Sequence, residues 1–275
     1  MKKLITLLLV LVMIMSLAAC APVANTGETT EPSANADSPA DNEQTFNTIE
    51  SGKLIMSTNA AFPPYEMTTD DGGFEGIDVE IATAIANKLG LELEILDMDF
   101  DAALLAVNEG KSDIVMAGVT VNEDRQVVMD FTDSYATGEQ VVIIKEGSDV
   151  TMDNLGEKMI GAQRGTTGYI YASDTPENGG YGEDHVTPYD NGATAIQALI
   201  NGQVDCVIID NAPAAEFVKA NPGLTILEGT WVTENYAIGC DKGNTALVEA
   251  INDVLAELIA DGTVQQIVDK YITAE

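Results

Sequence analysis

Short apolar segments alternate with segments of helical period along most of this chain, and that alternation constrains its fold more than any other feature. Apolar runs of strand length are separated by stretches in which apolar residues recur every three or four positions. Over the first half the predicted order is strand, helix, strand, helix, strand, at residues 53–58, 78–89, 91–96, 101–109 and 114–117. Such an order implies parallel strands with helices packed on the faces of the sheet, an α/β fold.

The alternation begins again after residue 140 and predicts a second α/β lobe of similar build. Parallel α/β sheets bind ligands at the carboxyl ends of their strands, so two facing lobes would place the binding groups in the cleft between them. The predicted elements are strands at 141–144, 159–161, 186–188, 206–209 and 235–240, and helices at 192–201, from about 245, and after Gly262.

The first 46 residues have a different character from the rest. Lys2 and Lys3 precede an uncharged run at 4–19, and the last residues before Cys20 match the lipobox of bacterial lipoproteins. We therefore expect residues 1–19 to be a signal peptide and Cys20 to carry lipid, such as palmitate. An ordinary signal peptide with a chance cysteine, or an uncleaved anchor helix, is the alternative. Residues 20–46 are acidic and poor in large apolar side chains, which predicts a disordered linker.

Charge and residue usage exclude several classes of function. The formal net charge is −33, which repels nucleic acids and anionic lipid headgroups. His185 is the only histidine, and we expect it in a solvated loop, so the chain predicts no catalytic residue, no metal site and no cofactor. Cys206 and Cys240 each lie in a predicted strand. Two buried thiols are the prediction, and a disulfide is the alternative.

Seven short motifs follow one another from about Thr48 to the C-terminus. They occupy residues 59–65, 76–90, 99–101, 118–125, 130–132, 165–168 and 201–205, the last leading to Asp210. Together they resemble the polar amino-acid solute-binding proteins of ABC importers, the bacterial extracellular solute-binding protein family 3. The resemblance implies a two-lobed periplasmic-binding fold of type II, with the ligand cleft between lobes that two crossing segments join.

The resemblance also implies a division of the chain. Residues 47–136 and 228–275 would form lobe 1, and residues 137–227 would form lobe 2. The two crossing segments would lie at 135–139 and about 225–229, where Gly138 and Gly229 suit changes of backbone dihedral.

By the same resemblance, Arg125 would hold the ligand's α-carboxylate, with Thr120 and Gly118 completing the cradle. A guanidinium can donate two parallel hydrogen bonds to a carboxylate, which suits this role. A structural salt bridge with Glu123 or Asp124 is the alternative. Asp210 would accept the ligand's α-ammonium, and a plain helix cap is its alternative.

The remaining site residues come from the resemblance too. Phe62 and Phe100 would close over the ligand, and Thr166 and Thr167 would reach its carboxylate from the second lobe. Asn59 and Gln163 would face its side chain. Members that take cationic amino acids usually have Asp at the position of Asn59, so a neutral polar ligand is favoured. Arg164, the only other arginine, is expected at the cleft rim or in solvent.

The predicted function is that of a monomeric lipoprotein on the extracytoplasmic face of the cell membrane. It would capture a polar amino acid by hinge closure and deliver it to an ABC permease, without turnover. Two alternatives stay open: a sensor that presents its ligand to a membrane receptor, and a dehydratase-type enzyme on the same fold.

Overall fold

The computed structural model describes residues 46–272. The predicted signal peptide, Cys20 and the predicted linker up to residue 45 lie outside the described residues. Phe46, the last residue of that linker, is buried in the hydrophobic core. The folded body has therefore begun by this position.

The first part of the described chain carries seven strands and three helices, and the five elements predicted there are present to within two residues. In chain order the elements are β1 (Lys53–Thr58), β2 (Ala61–Phe62), β3 (Glu66–Thr68), β4 (Phe74–Glu75), α1 (Ile77–Leu89), β5 (Glu92–Asp97), α2 (Phe100–Asn108), β6 (Ile114–Val115), α3 (Glu123–Val128) and β7 (Met129–Lys145).

The second part contains the remaining predicted elements together with α4, α6 and β11. Of these three, the sequence indicated only the start of a helix after Asp210, where α6 lies. In chain order the elements of this part are β8 (Ile160–Gln163), α4 (Thr167–Ser173), β9 (Val186–Tyr189), α5 (Gly192–Ile200), β10 (Cys206–Asp210), α6 (Asn211–Ala220), β11 (Leu224–Ile226), β12 (Val232–Asp241), α7 (Thr245–Ala260) and α8 (Thr263–Tyr271).

Helix α1 shows how the apolar pattern produces a packed element. Ile77, Ile81 and Ile85 recur at helical spacing and are fully buried. The helix ends at Gly90, whose φ of 72° is left-handed and whose amide donates to carbonyls of the last turn. This is the stop that the sequence predicted. The first turn also buries the carboxyl group of Asp78.

Two parallel groups of strands form the ends of one curled sheet. Within the described residues the sheet order is β5-β1-β6-β12-β7-β10-β8-β9, with β11 beside β7. Strand β1 pairs in parallel with β5 and β6, and β8 pairs in parallel with β9 and β10. These pairings confirm the parallel arrangement in each half. A separate small sheet has the order β2-β3-β4.

The long strand β7 joins the two halves. It has 17 residues, so at roughly 3.4 Å per residue it extends about 55 Å, enough to serve both groups. Its first part pairs with β12 and its last part with β10. The sequence pattern indicated only its end, at 141–144.

The return of the chain to the first half runs through β12. Val232 pairs with Gln140, and the ladder continues toward Asp241 and Met129. Residues Leu224–Ile226 still pair with the far end of β7. The predicted crossing segment at 225–229 thus overlaps the end of β11 and the stretch that leads into β12.

Two negative findings concern the described part of the chain. No helix within residues 46–272 is long and apolar enough to cross a membrane. Nor does this range contain a group of His, Cys, Asp and Glu side chains placed to hold a metal ion. Cys206 and Cys240 are both buried and free, which confirms the prediction of two thiols.

Candidate functional site

One cavity at the junction of the two halves brings together all ten residues predicted for the ligand site. The space among its lining side chains, counted with its open mouth, is about 320 Å³. Glu66 and Ala117, which the sequence did not single out, complete the lining. The predicted residues are Asn59, Phe62, Phe100, Gly118, Thr120, Arg125, Gln163, Thr166, Thr167 and Asp210.

Arg125 is held in place by the protein itself. Its Nη1 donates to the carbonyl oxygen of Thr120 at 2.7 Å and its Nη2 donates to the carbonyl oxygen of Gly165 at 3.1 Å. The guanidinium carbon lies 5.4 Å from the centre of the Phe100 ring, within cation–π range. Burial lowers the pKa of Arg125, while Glu234 raises it. The guanidinium stays charged because its unperturbed pKa is so high.

The alternative reading of Arg125, a local salt bridge, finds no support. Among residues 46–272, no ion pair within 4 Å joins Arg125 to Glu123 or Asp124. The local contact of Arg125 is made by its backbone amide, which donates a hydrogen bond of 2.9 Å to Oδ1 of Asn122, the residue that caps α3. The sequence around Arg125 thus forms a short helix that presents the guanidinium to the cavity.

Asp210 ends β10 and stands at the start of α6. Its side chain makes no capping hydrogen bond to that helix, so the plain cap is not its role. The Tyr236 hydroxyl donates to Asp210 Oδ1. Burial, followed by the charge of Glu234, raises the pKa of Asp210 to about 7 although the Tyr236 hydroxyl lowers it. A cation that enters the cavity would stabilise the ionised form of this buried acid.

Glu234 is a second buried acid, on β12, and it engages a predicted ligand residue. The Thr120 hydroxyl and the Gln140 amide each donate to Glu234 Oε2 at 3.0 Å. The predicted part of the Thr120 hydroxyl in the carboxylate cradle is therefore taken by Glu234 in this structure. The Thr166 hydroxyl is likewise occupied, since it donates to the carbonyl oxygen of Gln163 at 2.7 Å.

The two halves touch directly across the cavity. Gln163 Nε2 of β8 donates to Asn59 Oδ1, which follows β1, at 2.9 Å. Arg125 and Gly165 form the second bridge, and the Cβ of an alanine at Gly165 would lie 1.7 Å from Asp101 Oδ1. Asn59 and Gln163, the residues predicted to face the ligand's side chain, thus bond to each other.

Gly118 shows why its position needs glycine. Its φ of 55° is left-handed, and an added Cβ would lie 2.9 Å from the Phe62 ring. Its amide donates to Asp78 Oδ2 at 2.9 Å. Phe62 in turn stacks on Tyr65 with ring centres 5.8 Å apart. The aromatic wall of the cavity therefore rests against backbone that only glycine permits.

Glu66, Asp78 and Glu234 are the acids that the sequence prediction missed. Glu66 and Asp78 are fully buried. Burial is the main cause that raises the pKa of Asp78 to about 6 and that of Glu66 well above its usual value. The sequence carried one signal for the burial of Glu66 and Asp78. Each acid lies at the start of a strand or in the first turn of a helix and directly follows a large aromatic or apolar residue, Tyr65 or Ile77.

Residues predicted to lie outside the site do so. Arg164 is exposed and does not line the cavity. Burial raises the pKa of Asp101, and the charge of Arg164 lowers it. His185 lies half-buried in a single turn before β9 and does not line the cavity.

A two-lobed α/β fold with a charged cleft where the halves meet defines a solute-binding protein of the periplasmic type. The chain belongs to the bacterial extracellular solute-binding proteins, family 3, because the model of that family matches residues 54–274. This match confirms the family that the motifs indicated.

Individual relatives agree with this assignment. A probable histidine-binding protein of Neisseria gonorrhoeae is 34% identical over 232 residues, which cover 82% of this chain and 85% of the relative. The L-cystine-binding protein TcyJ of Escherichia coli strain K12 is 29% identical over 230 residues, 82% of this chain and 85% of the relative. Among solved structures, the arginine-, lysine-, histidine-binding protein ArtJ of Geobacillus stearothermophilus is 31% identical with a TM-score of 0.75. That alignment covers 81% of this chain and 96% of ArtJ.

Proposed function

We propose that this protein captures a polar amino acid outside the cytoplasm and delivers it to the permease of an ABC importer. The observation that carries the proposal is the presence of Arg125 and Asp210 in one buried cavity. A buried cation and a buried acid are suited to the two charges of a zwitterion. The relatives named for histidine, for cystine, and for arginine, lysine and histidine support an amino acid as the ligand.

The protein would capture its ligand by closure of the two lobes around it. The lobe that carries Arg125 would bind the carboxylate first, and closure would bring Asp210 onto the ammonium. Ligand shifts the open–closed equilibrium only to the extent that the closed state gives it more contacts. The bonds Gln163–Asn59 and Arg125–Gly165 contribute to the closed state on their own.

We further propose that the ligand leaves chemically unchanged and that the protein acts as a monomer anchored through lipid on Cys20. The family consists of binding proteins, which supports the first point. Mass spectrometry of the N-terminal peptide from protein made in a bacterial host tests the second. A diacylated Cys20 as first residue supports anchoring, and an intact or unmodified N-terminus contradicts it.

The central experiment is a thermal-shift screen of the protein with the twenty amino acids and cystine. A ligand at 100 times its Kd adds about 2.7 kcal/mol to the free energy of unfolding. We expect at least one polar amino acid to raise the melting temperature clearly. A rise with another class of metabolite and none with any amino acid would overturn the proposal.

A further inference from the structure

Glu234 is a buried acid that bonds to the protein behind the cavity and does not line the cavity itself. Its Oε2 accepts from the Thr120 hydroxyl and from the Gln140 amide, each at 3.0 Å. Its Oε1 has no hydrogen-bond partner within residues 46–272. A buried carboxylate with so few donors costs free energy of folding, so its presence calls for a reason other than stability.

Thr120 connects Glu234 to the arginine of the site. It forms an antiparallel bridge with Tyr236, so the segment that leads into α3 runs along β12. The Thr120 hydroxyl donates to Glu234, and the carbonyl oxygen of the same residue accepts from Arg125 Nη1 at 2.7 Å. The carboxylate of Glu234 is therefore one residue removed from the guanidinium that the proposed function assigns to the ligand's carboxylate.

Gln140 connects Glu234 to the acid of the site. It lies on β7, where it pairs with Asp210 of β10 on one side and with Val232 of β12 on the other. Its Nε2 donates to Glu234, and a hydrogen bond from the Gln140 side chain also lowers the pKa of Asp210. A continuous path of hydrogen bonds thus runs from Arg125 to Asp210 behind the wall of the cavity, with Glu234 at its centre.

We propose that Glu234 is a positioning residue for amino-acid capture, which holds Arg125 and Asp210 in fixed relation through Thr120 and Gln140 without touching the ligand. This proposal rests on the proposed function and adds a residue to it. A zwitterion binds well where a cation and an acid lie at the separation of its own two charges. Fixing that separation in advance reduces the entropy lost on binding.

The charge of Glu234 acts on both ends of this path. Burial lowers the pKa of Arg125 and raises that of Asp210 to about 7, and in both groups Glu234 raises the pKa as the next largest cause. Tyr171 on α4 also faces Glu234. The charged or titratable groups that face Asp210 are Glu234 and Tyr236 on β12, Arg125 on α3, Tyr65, and Glu66 on β3.

This arrangement predicts a particular pH dependence of binding. Asp210 must be ionised to receive an ammonium, so affinity should fall as the pH drops below the pKa that Asp210 has in the free protein. Glu234 raises that pKa and so moves the start of the fall to higher pH. Glu66 and Tyr65 act on Asp210 as well, but their effect is common to the native protein and to variants at position 234.

The test is isothermal titration calorimetry of the full protein from about pH 5 to about pH 8. The probe is the amino acid that gives the largest thermal shift, with L-arginine and L-glutamine titrated alongside it. Glu234→Gln keeps the length of the side chain and removes its charge. The fall in affinity should then begin about one pH unit lower than in the native protein. Any titration of the probe itself is the same for both proteins.

Two further variants separate charge from reach. Glu234→Asp keeps the charge but is one methylene shorter, so its carboxylate cannot reach both Thr120 and Gln140. It should bind about 10-fold more weakly at about pH 8, with the fall near its native pH. Glu139→Gln is the matched control, because Glu139 is an acid of β7 whose carboxylate accepts from Thr230 instead. It should leave affinity and pH dependence unchanged.

Gln140→Met keeps the test decisive even if Glu234→Gln does not fold. It removes the amide that lowers the pKa of Asp210, so the fall should begin at higher pH, the opposite direction to Glu234→Gln. A native pH dependence in either variant, or a loss by the same factor at every pH, overturns the role of Glu234 and leaves amino-acid capture intact. Failure of the native protein to bind any amino acid defeats the proposed function itself.

Discussion

At the scale of single residues, Arg125 combines a fixed position with a free charge. The carbonyl oxygen of Thr120 and the Phe100 ring, which belong to the same half as Arg125, orient the guanidinium, and the carbonyl oxygen of Gly165 contacts it from the other half. An Arg held this way loses little side-chain entropy when a carboxylate binds, whereas a lysine ammonium has no second parallel donor to offer. The type of residue at this position therefore governs affinity.

We expect Arg125→Lys to weaken amino-acid binding about 10- to 150-fold, the equivalent of one charge-assisted hydrogen bond. Calorimetric titration measures the change. Arg164→Lys serves as control because Arg164 is exposed and does not line the cavity, and the affinity of this variant should match that of the native protein. Unchanged affinity in Arg125→Lys would place the carboxylate elsewhere in the cleft.

At the scale of elements, the ladder between β7 and β12 positions the acid side of the site. Tyr236 on β12 is fully buried, and its hydroxyl donates to Asp210. Its ring lies directly over Gly138 of β7: an added Cβ there would lie 2.0 Å from the Tyr236 hydroxyl. Glycine at 138 thus makes room for Tyr236, whatever its part in hinge motion.

Gly138→Ala should force the Tyr236 ring away from Asp210. We expect a loss of about 1–3 kcal/mol in the free energy of unfolding, as for other overpacked sites, together with weaker ligand binding. Urea unfolding and calorimetric titration measure the two effects. Gly156→Ala is the control, since an added Cβ there meets Tyr181 at an ordinary 3.4 Å. Equal behaviour of the two variants would contradict this account.

The strands β10 and β12 also determine the reactivity of the two thiols. Burial raises the pKa of Cys206 and of Cys240 to about 12. At about pH 8 roughly one such thiol in ten thousand is ionised, and only the thiolate reacts. Iodoacetamide should therefore modify neither cysteine in the native protein and both in concentrated guanidinium chloride, as read by peptide mass spectrometry. Rapid native labelling would show that these strands open easily.

At the scale of the whole molecule, the closed cleft concentrates acids away from water. Burial is the first cause that raises the pKa values of Glu66, Asp78 and Asp210. When a folded pKa lies above the unfolded one, the folded state binds more protons between the two values. Stability is then fully present below the unfolded pKa and is lost as the pH rises through the folded pKa.

We therefore expect the ligand-free protein to be more stable at about pH 5 than at about pH 7.5, as measured by urea unfolding at both pH values. Self-repulsion of a chain with net charge −33 acts in the same direction, so a variant must isolate the buried acids. Asp210→Asn should flatten the pH dependence relative to the native protein. Greater native stability at about pH 7.5 would mean that these acids are ionised in the folded state.

The order of strands and helices followed from the sequence by itself, through apolar periodicity and the glycine after α1. The family, and the ten residues that meet at one cavity, followed from the resemblance of seven short motifs to that family. The ligand roles of those residues and the boundaries of the lobes stay predictions.

Only the tertiary structure decided how the site residues are partnered. Gln163 bonds to Asn59 across 104 positions, and Thr120 bonds to Glu234 across 114. The burial of Glu66 and the full length of β7 likewise depend on groups distant in the chain. Local sequence patterns carry no record of such contacts, because they arise when the two halves of the sheet close on each other.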